Sequence, residues 1–207
     1  MALKCLAGAV LAVVSVASCG GGAPQSDTKG WRFEASPNAP TITLSPQGHP
    51  SFPFPAFDGV HYLTNNVLSG TQFMSAAVTV EVEGLPVFDY PRPGNSCPTA
   101  PNWGLYFQRR GDRWTGLGDQ QFYRWWHTRR TPLRAGTTAV TANLANPAEW
   151  SSVMGVRGSD APEKFFEAVK DMGAVGVTFG GGCFYSHGVF VTGPGSATFS
   201  MMDFQVY

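Results

Sequence analysis

Beyond residue 59, apolar and polar positions alternate in short runs separated by turn residues. Residues 76–83 show it most cleanly: Val78, Val80 and Val82 fall on one side, Glu81 and Glu83 on the other, and Gly84 ends the run. A period of two closed by glycine predicts a half-buried strand. Residues 60–64, 103–110, 122–128, 136–144, 174–179 and 197–206 read the same way. Before them, residues 31–57 carry Pro37, Pro40, Pro46, Pro50, Pro53 and Pro55, which permits short edge strands such as 41–44 but no central strand or helix. One segment has helical spacing. Asp160, Pro162 and Glu163 provide a start, Phe165, Phe166, Val169 and Met172 an apolar stripe, and Gly173 a stop, so a short helix is expected around residues 162–172. Seven or eight strands with turns between them and a single helix predict an all-β fold, a β-sandwich.

The first residues follow a different pattern. A single Lys4 precedes an apolar run over residues 5–17, too short for a comfortable membrane span and suited to the core of an export signal. Val16-Ala17-Ser18-Cys19 follows at once and resembles the lipobox of bacterial lipoproteins. The resemblance implies cleavage before Cys19 and acylation of that cysteine, which places the chain in the cell envelope, outside the cytoplasm. No aspartate follows Cys19, which leans toward the outer membrane over the inner. The competing reading is an ordinary secretory signal. Residues 19–30 are small, polar and unpatterned, a flexible tether. The chain therefore divides into a signal at 1–18, a tether at 19–30 and one domain at 31–207.

Composition narrows the partners. Of 207 residues, 14 are Lys or Arg and 14 Asp or Glu, so the formal net charge is zero. Nothing in that balance draws the chain to nucleic acid, and export removes nucleic acid as a partner. Cys97 and Cys183 remain once Cys5 leaves with the signal and Cys19 takes lipid. An even pair in an oxidising compartment predicts a disulfide, which would close a loop of roughly 85 residues worth at most about 4–5 kcal/mol. The alternative is a metal or catalytic thiol, but no CxxC and no paired histidine spacing accompanies it.

The order of features over residues 57–207, with the last strand (197–206, ending Asp203-Phe-Gln-Val206) returning near the first after a Pro-rich entry, is similar to galactose-binding-like jelly rolls, the architecture of many carbohydrate-binding modules. Residues 150–155 and 179–188 are similar to motifs of a secreted bacterial family to which no activity is attached. The jelly-roll resemblance implies a structural calcium in some members. Asp58 and Asp203 match it by position alone, and no cofactor or metal site is otherwise implied.

Strand faces give the chemistry. Tyr106, Gln108 and Arg110 share one face of 103–110, and Arg124 and Trp126 share one face of 122–128. An aromatic ring beside amide and guanidinium groups suits a sugar, whose C–H face packs on the ring while its hydroxyls find polar partners. Tyr106, Gln108, Arg110, Arg124 and Trp126 are therefore the candidate ligand-binding residues, provided the face is open and not plugged by 31–57. Gly176 and Thr178, facing away from the core, leave room for something to lie against them. A run of arginines (Arg109, Arg110, Arg113, Arg124, Arg129, Arg130, Arg134), with only Asp112 and Asp119 against it, would read an anionic polysaccharide or lipid head groups near the anchor, or pair locally with Glu81, Glu83 or Glu149.

Catalysis has thinner support. No GxSxG is present. Glu81 and Glu83 are about 7 Å apart by strand geometry, yet an exposed pair of this kind is ordinary solvent cover. A lyase set of His127, Tyr123, Tyr106, Arg110 and Gln108 would require two opposite strand faces to meet in one groove. His187 has no acid near it in sequence and reads as a turn histidine. The leading expectation is a lipid-anchored domain that binds a glycan without chemistry. The alternatives are a structural or protein-interaction envelope lipoprotein, and a polysaccharide lyase or glycosidase on the same fold.

Overall fold

The computed structural model describes residues 30–66, 72–91, 100–181 and 187–207. The strands are β1 (Arg32–Glu34), β2 (Thr43–Leu44), β3 (Pro50–Pro53), β4 (Tyr62–Asn66), β5 (Phe73–Gly84), β6 (Val87–Asp89) and β7 (Asn102–Arg109). They continue as β8 (Arg124–His127), β9 (Thr131–Pro132), β10 (Gly136–Asn143), β11 (Trp150–Ser152), β12 (Met172–Gly180), β13 (Phe190–Thr192) and β14 (Gly195–Val206). The helix α1 covers Pro162–Lys170. One sheet has the order β1-β4-β12-β7-β8-β11 with β9 beside the start of β7, and a second has the order β10-β5-β14-β3-β2. β6 and β13 form a small ribbon. The strands pair antiparallel and the two sheets pack face to face, so the all-β sandwich expected from the alternation is what the chain adopts. β14 lies between β5 and the Pro-rich entry strand β3.

The core between the sheets is rich in aromatics. Phe52 stacks on Phe199 at 5.0 Å and meets Phe179 edge-on at 5.9 Å. Phe107, Trp125, Trp150 and Phe165 form a second group that seats α1 against the larger sheet. Of the expected β5 face, Val78 and Val80 are buried, but Val82 is 38% exposed. The strand runs beyond the opposite sheet from Glu81 onward, so alternation continues after burial has ended.

The helix ends differ from expectation. The cap residue is Ala161, with no side-chain cap bond, while Asp160 closes a preceding 3-10 turn. Gly173 does not stop the helix. The chain turns at Asp171, and Gly173 is the extra residue of a bulge in β12, where a Cβ would fall 2.9 Å from Arg110 Cγ. Sequence patterning missed β6, β9, β11 and β13, each two or three residues long. In the Pro-rich stretch 31–57 the expected short edge strands are β1 and β2, whereas β3 lies inside the smaller sheet between β14 and β2, which its prolines permit because they stand at its two ends, Pro50 and Pro53.

β7 explains how the site is positioned. Every residue from Asn102 to Gln108 is buried, so both faces of the strand are covered. Its odd residues Trp103, Leu105 and Phe107 enter the main core, while Tyr106 joins Tyr62 and Trp126 in a second cluster on the outer face. Thr178 is covered by Arg130, whose Nη2 donates to the Thr178 carbonyl at 3.1 Å and whose Nε donates to Asn102 Oδ1 at 2.8 Å. Gly104 leaves the space for that guanidinium. The room expected at Gly176 is taken by the neighbouring strand, since a Cβ there would collide with the Leu63 carbonyl oxygen.

Candidate functional site

Tyr106 lies opposite Trp126, and Gln108 opposite Arg124, across the β7–β8 pair. Directly opposed residues of antiparallel strands share a face, so four of the five sequence-predicted residues do come together. Asp112, from the loop after β7, anchors them. Its Oδ2 accepts from Arg124 Nε at 2.5 Å and from Gln108 Nε2 at 3.0 Å, and its Oδ1 accepts from the Trp114 backbone N–H at 2.8 Å. The Arg124 and Asp112 side chains are 6% and 4% exposed. Burial pulls the Arg124 pKa down, but the hydrogen bond to Asp112, the neighbouring Tyr62 and the charge of Asp112 together more than offset it, and the guanidinium is held above its ordinary value.

The same loop closes the face. Trp114 lays its ring over the Arg124 guanidinium, 4.2 Å from the ring centroid, and meets Tyr62 edge-on at 5.1 Å. Tyr62 in turn packs on Tyr106 at 4.8 Å, and the Tyr106 hydroxyl is bonded to Thr64 Oγ1. Burial pushes the Tyr106 phenol well up from its usual range. Tyr106, Gln108, Arg124 and Trp126 are all buried, so the open aromatic-polar face is not present. The residues on it were read correctly. The cover comes from the 110–117 loop and not from 31–57, because a buried ion pair draws that loop down onto the sheet. Arg110 stands at the rim, its side chain 69% exposed and 3.5 Å from Asp171.

What remains open is a groove across Trp114. One cleft of about 420 Å³ is lined by Glu34, Ala35, His61, Tyr62, Trp114 and Arg124. A second, of about 410 Å³, lies on the other side, with Arg32, Gln108, Arg110 and Asp112 among its walls, and both include Glu34 and Trp114. Non-glycine residues at positive φ are uncommon and cluster where function holds the backbone. Among the described residues they are Ala35 (51°), Asp58 (58°) and Trp114 (63°), and two of the three line this groove.

Within the arginine run Arg109, Arg110 and Arg124 pair locally, as does Arg32 outside it. Arg109 meets Glu167 at 3.2 Å, Asp171 at 3.3 Å and the Tyr123 ring at 5.0 Å, and Arg32 meets Glu34 at 2.6 Å. Pairing is thus local, but through Glu34, Asp112, Glu167 and Asp171. Glu81 and Glu83 lie on the exposed end of β5. Glu149 accepts from the Asn143 backbone N–H at 3.0 Å and lies 3.6 Å from His127 Nε2.

The other sequence candidates do not converge. His127 packs on Trp150, on the opposite face of β8 from Trp126, so it shares no groove with Tyr106. Tyr123 lies against Arg109. The His187 pKa is lowered by burial and by the nearby His61. Asp58 accepts from Asn38 Nδ2 at 2.6 Å, Asp203 accepts from Gln205, and the described residues contain no cluster of three metal-ligating side chains. Cys19, Cys97 and Cys183 lie outside the described residues. Sequence reasoning missed Glu34, Tyr62 and Trp114, and placed Asp112 only as a charge beside the arginines, not as the anchor of the face. The available signal was a tryptophan between Gly111 and Gly116, both at positive φ, in a loop otherwise built for turning. No protein family, no curated protein and no solved structure matches the chain.

Proposed function

We propose that this chain is a lipid-anchored envelope protein whose sandwich binds a saccharide, without chemistry, in the groove across Trp114. The observation that supports it best is the composition of that groove: an indole held at positive φ, with the Glu34 carboxylate and the Arg32 and Arg110 guanidinium groups beside it. A sugar ring presents C–H groups to the indole and hydroxyls to the charged rim. Because each arginine there has a carboxylate close by, the reading favours a neutral sugar over an anionic one. The anchor is the acyl chain on Cys19, which leaves the groove facing the envelope or its surroundings.

The test is a glycan array probed with the chain from residue 20 onward, exported without lipid, beside its Trp114→Ala and Glu34→Gln variants. Binding by the parent that falls at least about tenfold in both variants, with melting temperature kept, supports the reading. Binding that ignores both substitutions, or none at all, overturns it. For the anchor, mass spectrometry of the native chain should show a diacylglyceryl group on an amino-terminal Cys19. An unmodified chain beginning elsewhere overturns that part. A protein-interaction role draws its own support from the turn after β5, where Leu85 is 77% and Val87 57% exposed.

A further inference from the structure

The smaller sheet ends on β10, which among the described residues pairs only with β5, in unbroken register from Gly136↔Val80 to Asn143↔Phe73. An edge strand presents unpaired N–H and C=O groups, and proteins blunt such edges with charges, prolines, bulges or shortness. The other edges are blunted in these ways. β1 is three residues long and carries Arg32 and Glu34, β2 has two residues, and β11 has three with Ser151 bridged to Arg157. β10 has eight residues, with no charge, no proline and no bulge.

Which of its backbone groups face outward follows from the hydrogen bonds at its end. Asn143 N–H donates to Glu149, and Asn143 C=O accepts from the Asn146 N–H and Trp150 Nε1, so Asn143 points away from β5. Leu144 N–H points the other way, to the Gln72 carbonyl. Because backbone groups alternate along a strand, Thr137, Ala139 and Thr141 also point outward, and Asn143 is already occupied.

We infer that two copies of this chain pair antiparallel along β10 about a twofold axis at Ala139, joining their smaller sheets into one. In that register Ala139 faces Ala139 of the second copy and Thr137 faces Thr141. Each of these is a pair that exchanges both backbone bonds, and together they satisfy all three outward residues without disturbing Asn143. The side chains agree. Thr137 and Thr141 meet on the outer face, extending the Thr79–Thr137 hydroxyl contact of 2.9 Å, and Thr138 meets Val140 on the face toward the core. No charge opposes its like. Arg134 of each copy falls near the Asn143 end of the other, where Glu149 is bound.

Sedimentation velocity of the unlipidated chain across a wide concentration range is the test. A dimer is expected, with Ala139→Lys monomeric at the same concentrations and its melting temperature kept, since Ala139 is exposed and its N–H is not used by β5. Ala139→Cys should oxidise to a covalent dimer on a non-reducing gel, while Met154→Cys, exposed elsewhere, should not. A parent that stays monomeric with no crosslink through residue 139 overturns the inference. So does a dimer that survives Ala139→Lys.

Discussion

Asp112 holds together more of the outer face than any aromatic on it. Its carboxylate is shared by a guanidinium, a side-chain amide and the backbone of Trp114, and it is almost wholly out of water. Removing one member of such a pair leaves the other as a buried, uncompensated charge, which costs about 3–5 kcal/mol. Asp112→Ala should therefore cost that free energy in urea unfolding, read as a lower midpoint at unchanged m-value, and release the Trp114 loop. Arg124→Met, which fills the space without the charge, should cost less when combined with Asp112→Leu than either single change alone. A double-mutant cycle in urea reads the difference, and additive costs would mean that the pair is not coupled. At this scale the sequence was legible where parity decides. Tyr106, Gln108, Arg124 and Trp126 were placed on one face by counting in twos along two strands. Asp112 and Trp114 were not legible, because their place depends on a loop returning to the sheet, and no periodicity records a return.

The elements follow the same division. Of the long strands, β5, β10 and β14 were evident because half-buried strands write a period of two, and β7 and β12, covered on both faces, because large apolar residues there still alternate with glycine or polar ones. Short strands such as β6, β9, β11 and β13 were not, because so short a run carries no period. Their existence depends on a neighbour with free backbone groups, as β3 depends on β14. Glycines inside strands marked close approach without saying to what. At Gly176 the partner is the backbone of β4, and backbone cannot rotate aside. Gly176→Ala should push β4 and β12 apart and cost about 3 kcal/mol or more, at the upper end for a single substitution. Gly118→Ala, with open space around it, bears only the strain of its positive φ of 55° and should cost less. Thermal melts of the two variants check the order, and reversal would mean that the β4–β12 spacing is not set by this glycine.

Over the whole molecule the balanced charge makes individual buried groups decisive for pH. His127 is 3% exposed beside Trp150. Burial lowers its pKa, and the opposing pull of Glu149 does not restore it, so the ring is neutral in the fold below the pH at which a free histidine protonates. His187 shifts in the same direction, through burial and then the charge of His61. The unfolded chain therefore binds more protons than the folded one once pH falls below about 6.5. Where the unfolded state binds more protons, stability rises with pH. The contribution of these histidines is complete above that value. It is lost progressively as pH falls from there toward their lowered folded pKa values, and below those it loses no more. Urea midpoints measured between neutral and mildly acidic pH should decline accordingly. His127→Gln should lower the midpoint at neutral pH yet flatten the decline, because glutamine is neutral in both states. A variant with the parent's full slope would show that burial of His127 is not the source of the acid sensitivity, and the decline would then belong to His187, whose substitution should flatten it in the same way.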